Sequence, residues 1–440
     1  MTLPQLLGMR GFSVLWLGQA VSILGTGMTG FAMTIWAWQE TGQATTLALV
    51  ALFNFGPSVL LAPVAGALAD RLNRKLVIAL SDTAAGIATA SLLTLHLTGA
   101  LEIWHLYALG AWSGAFSAFQ FPAFSAAIST MLPKEQYVRA SGMMSMAESG
   151  AQIAAPLLAA VFLATIGLAG VLVIDILSCV IAVLSLLLIA IPRPAVSAAG
   201  RASRGGIWPE LSFGFRYILQ RSGLLSLLLF FAAVNLIFTL GPVATSTMIL
   251  ARTAQDAVAL GTVQTALGVG GLAGGVLLSV WGGPKRRVYG VLGGTLAMAV
   301  LGVIPFGLSN SLPLWLVFGF ATVIFLPILN GCSQAIWQAK VPPDVQGKVF
   351  SARRVIAQLT GPLSLVVVGP LLDKVLEPGM RPGGALAALF GPLFGTGPGS
   401  GAALMLSFTG VVLVMIVVVS FLNPNLRNVE TDLPDHDAPG

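Results

Sequence analysis

The chain has 440 residues, of which 56% are hydrophobic and 9% charged, and its net charge is +6 at neutral pH. A soluble domain carries about 25% charged residues, so there are too few charges here to clothe a surface in water, and lipid must face most of the exterior. A nucleic-acid binder is excluded as well, because the basic residues form short clusters between apolar runs instead of gathering on one face or tail.

A bilayer core about 30 Å thick takes about 20 helical residues to cross. Arg10 precedes an apolar stretch too long for a signal-peptide core and without an evident cleavage site, so it is read as a retained first span over residues 11–37. Further spans are predicted at 45–69, 76–97, 104–130, 141–165 and 168–191. A second set follows at 222–250, 258–282, 288–309, 313–338, 353–373 and 401–422, which makes an all-α membrane protein of twelve transmembrane helices. The Gly- and Pro-rich connection 374–400 is expected to hold a short interfacial helix near Gly384–Phe394.

Cytoplasmic loops retain Lys and Arg. With both termini in the cytoplasm, 19 of the 22 basic residues fall inside, leaving only Arg252, Lys374 and Arg381 outside. A miscounted span would move every later loop to the other side, so this asymmetry supports the even count.

The longest charged break, rich in Arg, Ser, Gly and Pro, divides the spans six and six. The expected organisation is an N-terminal six-helix bundle (1–192), a cytoplasmic linker (193–221), a C-terminal bundle (222–426) and a disordered cytoplasmic tail (427–440). Pro133-Lys134-Glu135 with Arg139 before the fifth span recurs 209 residues later as Pro342-Pro343-Asp344 with Lys348 before the eleventh. Two halves repeated in the same order form the architecture in which a substrate site arises at their interface near mid-membrane.

Between the second and third spans stands Gly66-Ala67-Leu68-Ala69-Asp70-Arg71-Leu72-Asn73-Arg74-Lys75. This loop resembles the signature of the major facilitator superfamily, and the opening run Phe12, Leu15-Trp16-Leu17-Gly18-Gln19, Ser22, Gly25 and Thr41-Gly42 is similar to the branch that includes macrolide efflux proteins and the enterobactin exporter. The resemblance implies the two-bundle fold, a bacterial inner membrane location, a monomer, and export of a small molecule by alternating access. It also implies a conformational gate of Gly66, Asp70, Arg71 and Arg74 against the start of the eleventh span, which here carries Arg353 and Arg354. Arg71, Arg74 and Lys75 could equally serve topology alone. Gly282-Gly283-Pro284-Lys285-Arg286-Arg287 in the second half has no acid matching Asp70.

An ionisable residue deep in a span costs about 2.5–3.5 kcal/mol on insertion scales, so Glu148, Asp175 and Asp82 each ask for an explanation. Glu148 lies between Ser145 and Gln152 on a polar stripe and is the first candidate for proton coupling. Asp175 is the second, with a structural hydrogen bond as the competing account, and Asp82 leans toward a structural tie. No basic residue lies deep in a span to pair with them.

Uncharged polar residues suggest a cavity lining: Gln19, Ser22, Thr26 and Thr29 on one face of the first span, Phe116 and Gln120 on the fourth, Gln152 on the fifth, Asn235 on the seventh, Gln264 on the eighth, and Asn330, Gln334 and Gln338 on the tenth. Hydrogen bonding between helices competes at each of them. Such a lining suits a bulky amphipathic substrate. Uptake of a nutrient and flipping of a lipid remain open, whereas an enzyme is not expected: there is no phosphate loop, no zinc motif and no serine elbow, and no cofactor or metal is called for.

Overall fold

The computed structural model describes residues 8–69, 73–132, 136–189, 207–342 and 346–433. The expected motif residues Asp70, Arg71, Pro133-Lys134-Glu135 and Asp344, residues 193–206 of the linker and the last seven residues lie outside them, as do the side chains of Arg354 and Ser145.

The described chain is built of helices, because in hydrocarbon every backbone N–H and C=O must find its partner within the segment. They are α1 (Gly8–Thr41), α2 (Ala44–Ala69), α3 (Arg74–Leu97), α4 (Ile103–Met131), α5 (Tyr137–Leu187) and α6 (Ile207–Leu219). Next come α7 (Ser222–Arg252), α8 (Ala257–Trp281), α9 (Arg287–Leu308), α10 (Leu312–Lys340) and α11 (Gln346–Leu371). The chain closes with α12 (Ala387–Phe394), α13 (Ser400–Leu422), α14 (Pro424–Arg427) and α15 (Val429–Asp432).

Among the described residues, ten helices are long and apolar enough to cross a membrane. One of them is a 42-residue stretch of α5, and Gly167, at φ 69° and ψ −177°, breaks that helix into two arms that meet the spans predicted at 141–165 and 168–191. The second arm and the 29-residue α4 bring the count to the expected twelve. The exterior is apolar, with Leu60 71% and Val280 84% exposed.

The helices pack as two compact units: the described residues of Met1–Gly42 and Leu49–Arg204 form one, and those of Gln43–Ala48 and Gly205–Gly440 the other. The first has a core around Phe12, Leu15, Ile78, Phe124, Leu186 and Ile189. In the second, Leu224, Leu227, Val291, Trp337, Val349 and Leu413 form the core. There, α8 and α10 approach so closely that a Cβ on Gly270 or Gly274 would strike the carbonyls of Phe320 and Ile324, which is the close packing expected of a Gly-xxx-Gly run.

Two expectations about the loops need correction. Residues 207–219, placed in the linker, form α6, whose apolar side carries Ile218 into the second core. The tail is ordered as far as Leu433: Leu426 and Val429 are buried, the Glu430 carboxylate accepts from the Val288 N–H at the start of α9 (2.9 Å), and Lys340 donates to the carbonyls of Glu430 and Leu433. The short helix expected in the connection 374–400 is α12.

Candidate functional site

In the first unit the polar residues of α1 are divided between two buried carboxylates. Gln19 Nε2 donates to Asp82 Oδ2 at 2.6 Å, and Gln120 Nε2, from α4, donates to Asp82 Oδ1 at 2.7 Å and to Gln19 Oε1 at 3.1 Å. Seven residues along α1, about 10 Å at 1.5 Å per residue, Thr26 and Thr29 donate to Asp175 Oδ1 (3.3 Å) and Oδ2 (2.9 Å). Thr89, seven residues beyond Asp82 on α3, donates to Asp175 Oδ2 at 2.8 Å, and Ser178 donates to the Asp175 carbonyl at 2.7 Å. The result is two polar rungs, one joining α1, α3 and α4 and the other joining α1, α3 and the second arm of α5.

Both carboxylates are enclosed, Asp82 at 2% and Asp175 at 3% exposure. Amides and hydroxyls supply their donors, and each rung places those donors where a desolvated carboxylate needs them. Small residues allow the helices to come this close: a Cβ on Gly25 would meet Ser178 Oγ and Asp175 Oδ1. Cys179 adds a contact from its thiol to the Asp82 carbonyl at 2.8 Å.

The remaining candidates of this unit lie elsewhere. Glu148 and Gln152, one turn apart on the first arm of α5, are exposed, as is Thr26. Ser22 is buried, and Phe116 is half-buried, its carbonyl accepting from Ser81 Oγ at 3.1 Å and its ring tilted against Trp112.

In the second unit α10 turns a polar edge outward: Asn330 and Gln338 are exposed and Gln334 half-buried. Arg353 of α11 is fastened to this edge, donating to Gln334 Oε1 at 2.9 Å and Ser333 Oγ at 3.3 Å, while its guanidinium lies 5.3 Å from the Trp337 ring centroid and 6.0 Å from that of Phe231. Planar nitrogen over aromatic faces is a favourable seat for an arginine partly removed from water. Asn235 and Gln264 are half-buried on α7 and α8. Gly66 is on α2, and Arg74 begins α3.

Polar side chains exposed on membrane helices cannot rest against hydrocarbon without cost. The exposed side chains of this kind are Thr26, Glu148 and Gln152 in one unit and Asn330 and Gln338 in the other, with Gln334 and Arg353 half-buried beside the latter. Among the described residues no cluster of three His, Cys, Asp or Glu side chains is arranged to hold a metal ion.

Sequence periodicity alone did not reveal Thr89, Ser178 or Trp337 as partners. The spacing Asp82–Thr89, a match on α3 to Gln19–Thr26 on α1, carried that signal.

The family profile described as Major Facilitator Superfamily matches residues 15–365. Macrolide efflux protein A of Streptococcus pyogenes is 25% identical over 371 residues, covering 83% of this chain and 90% of that protein. The multidrug efflux pump Tap of Mycolicibacterium fortuitum is 27% identical over 364 residues, covering 79% and 86%. Among solved structures, a bacterial homolog of the human lysosomal transporter Spinster in an inward-facing, occupied conformation aligns with a TM-score of 0.69 at 19% identity over 98% of both chains.

Proposed function

This chain belongs to the Major Facilitator Superfamily, and on that premise we propose that it is a secondary active exporter of a bulky amphipathic compound, of the macrolide, drug, siderophore or peptide natural-product kind, working by alternating access and driven by protons. It is a transporter and not an enzyme, as its family and its efflux relatives establish. Export of a macrolide-like compound is favoured by the relative whose name states that activity and which aligns over most of both chains.

The observation that carries the proposal is the contrast between an apolar exterior and the polar faces exposed on α1, α5 and α10. A face with glutamine, asparagine and a fastened arginine but few charges suits a large ligand with scattered hydrogen-bonding groups. Of the three intramembrane carboxylates, Glu148 is the one exposed, so it takes the coupling role: a group that exchanges protons must meet water in the course of the cycle. Asp82 and Asp175, already supplied with donors, tie helices together.

The gate follows from the loop motif, with Asp70 engaging the start of α11 and its Arg353 and Arg354 when the cytoplasmic side closes. A bond made in one of two states biases the equilibrium between them. Both termini lie in the cytoplasm, supported by the placement of 19 basic residues. The unit of transport is the monomer.

The test is accumulation of radiolabelled erythromycin in cells whose own pumps are deleted. Expression of the chain should lower accumulation, and dissipating the proton gradient should restore it; unchanged accumulation of erythromycin and of an unrelated amphipathic dye would reject drug export.

A further inference from the structure

The first turn of α2 packs with the second unit, although the rest of the helix packs with the first. Asp373, just past the end of α11, holds that turn. Its Oδ1 accepts from the Ala44 N–H at 2.9 Å and its Oδ2 from the Thr45 N–H at 2.7 Å. These N–H groups are among the four at a helix start that have no partner within the helix, and a carboxylate there also meets the positive end of the helix dipole. Capping usually comes from the residue just before the helix; here it comes from more than three hundred residues away.

One turn before Asp373, Gly369 lies so close to α2 that a Cβ would strike Thr45 Cα. Ala44, Thr46 and Leu47 are buried around the contact. The contact thus needs both a glycine for approach and an aspartate for the cap, four residues apart on one helix.

The same two residues at the same spacing occur once more in a telling place. Gly369-Pro370-Leu371-Leu372-Asp373-Lys374 repeats the frame of Gly66-Ala67-Leu68-Ala69-Asp70-Arg71: glycine, leucine two residues on, aspartate four on, a base five on. The earlier copy begins at Gly66 in the last turn of α2 and, by family resemblance, addresses the start of the eleventh span. The later copy ends α11 and caps the start of the second span. The two helices exchange roles between the copies.

We propose that Gly369 and Asp373 form an outer latch, the counterpart of the Asp70 gate: the Asp373 cap holds the first turn of α2 while the outer side is closed, and it breaks when the Asp70 contact forms. This rests on the alternating-access account and on the outer placement of residues 374–400.

The test uses the full-length chain in intact cells, in a Cys179→Ser, Cys332→Ser background carrying Thr46→Cys, a position 5% exposed here. The readout is the rate of reaction with a membrane-impermeant maleimide. Asp373→Asn, which weakens the cap, and Gly369→Ala, which blocks the approach, should each raise the rate about threefold or more, and Asp70→Asn should lower it. Thr295→Cys, at a position with no exposure, should stay unlabelled in every variant; its labelling would mean unfolding and would overturn the proposal. Unchanged rates in Asp373→Asn and Gly369→Ala, with Asp70→Asn still slowing the reaction, would overturn the latch alone. No change in any of the three would remove alternating access and the latch with it.

Discussion

Gln19 donates to Asp82 at 2.6 Å, joining α1 to α3 inside the first unit, and Gln120 of α4 closes the triangle. Removing the shared acceptor strands the buried Gln19 amide and leaves the half-buried Gln120 amide only its 3.1 Å bond to Gln19, and an unmet buried donor costs about 1–3 kcal/mol. Asp82→Ala should therefore lower the midpoint of thermal unfolding in detergent more than Gln120→Ala, which leaves Asp82 one amide partner. Equal midpoints in the two variants would show that the triangle does not act as a unit.

The Asp175 rung makes a separate prediction. Four hydroxyl side chains surround this carboxylate, so Asp175→Asn should cost about 1 kcal/mol of stability while keeping gradient-driven export once the protein is folded. Glu148→Gln should do the reverse, leaving the unfolding midpoint unchanged and reducing gradient-driven export about tenfold or more. Initial transport rates set beside unfolding midpoints separate the two roles, and an exchange of these phenotypes would move the coupling role to Asp175.

Glycines on α8 are not equivalent. A Cβ at Gly274 would meet the Ile324 backbone of α10, whereas one at Gly275 finds open space. Gly274→Val should cost about 1–3 kcal/mol or prevent folding, and Gly275→Ala should be neutral or slightly stabilising. Size-exclusion profiles of the purified variants decide this, and a monodisperse Gly274→Val with normal stability would contradict the packing.

At the tail, Glu430 caps α9 through the Val288 N–H and Lys340 caps the carbonyls of Glu430 and Leu433. Loss of a cap costs about 0.5–2 kcal/mol. Truncation after Asn423 should destabilise the second unit measurably, while truncation after Leu433 should not, and thermal unfolding of the two truncated chains makes the comparison.

The sequence made the crossings legible because apolar length is set by the thickness of the bilayer, and even the break at Gly167 falls between two predicted spans. It was less informative about what each polar face meets. Periodicity places Gln19, Ser22, Thr26 and Thr29 on one side of α1, but 3.6 residues per turn says nothing of what stands opposite. In the structure Gln19 and Thr29 are spent on Asp82 and Asp175, partners supplied by helices distant in sequence. On α10 the same pattern leaves Asn330 and Gln338 exposed, while Gln334 is half-buried and accepts from Arg353. The order of residues 427–433 is not visible in a polar composition, because it comes with the buried Leu426 and Val429 and with the bonds of Glu430 and Lys340. The Gly369–Asp373 frame stood in the sequence, yet it gained meaning only when the cap on α2 was located.

Proton-driven export is tested most directly in proteoliposomes holding the purified chain and labelled erythromycin under an imposed pH gradient. The account predicts movement of unchanged compound against its concentration in the wild type, lost when the gradient is dissipated and lost in Glu148→Gln. Equal movement with and without the gradient, or full activity in Glu148→Gln, would contradict it.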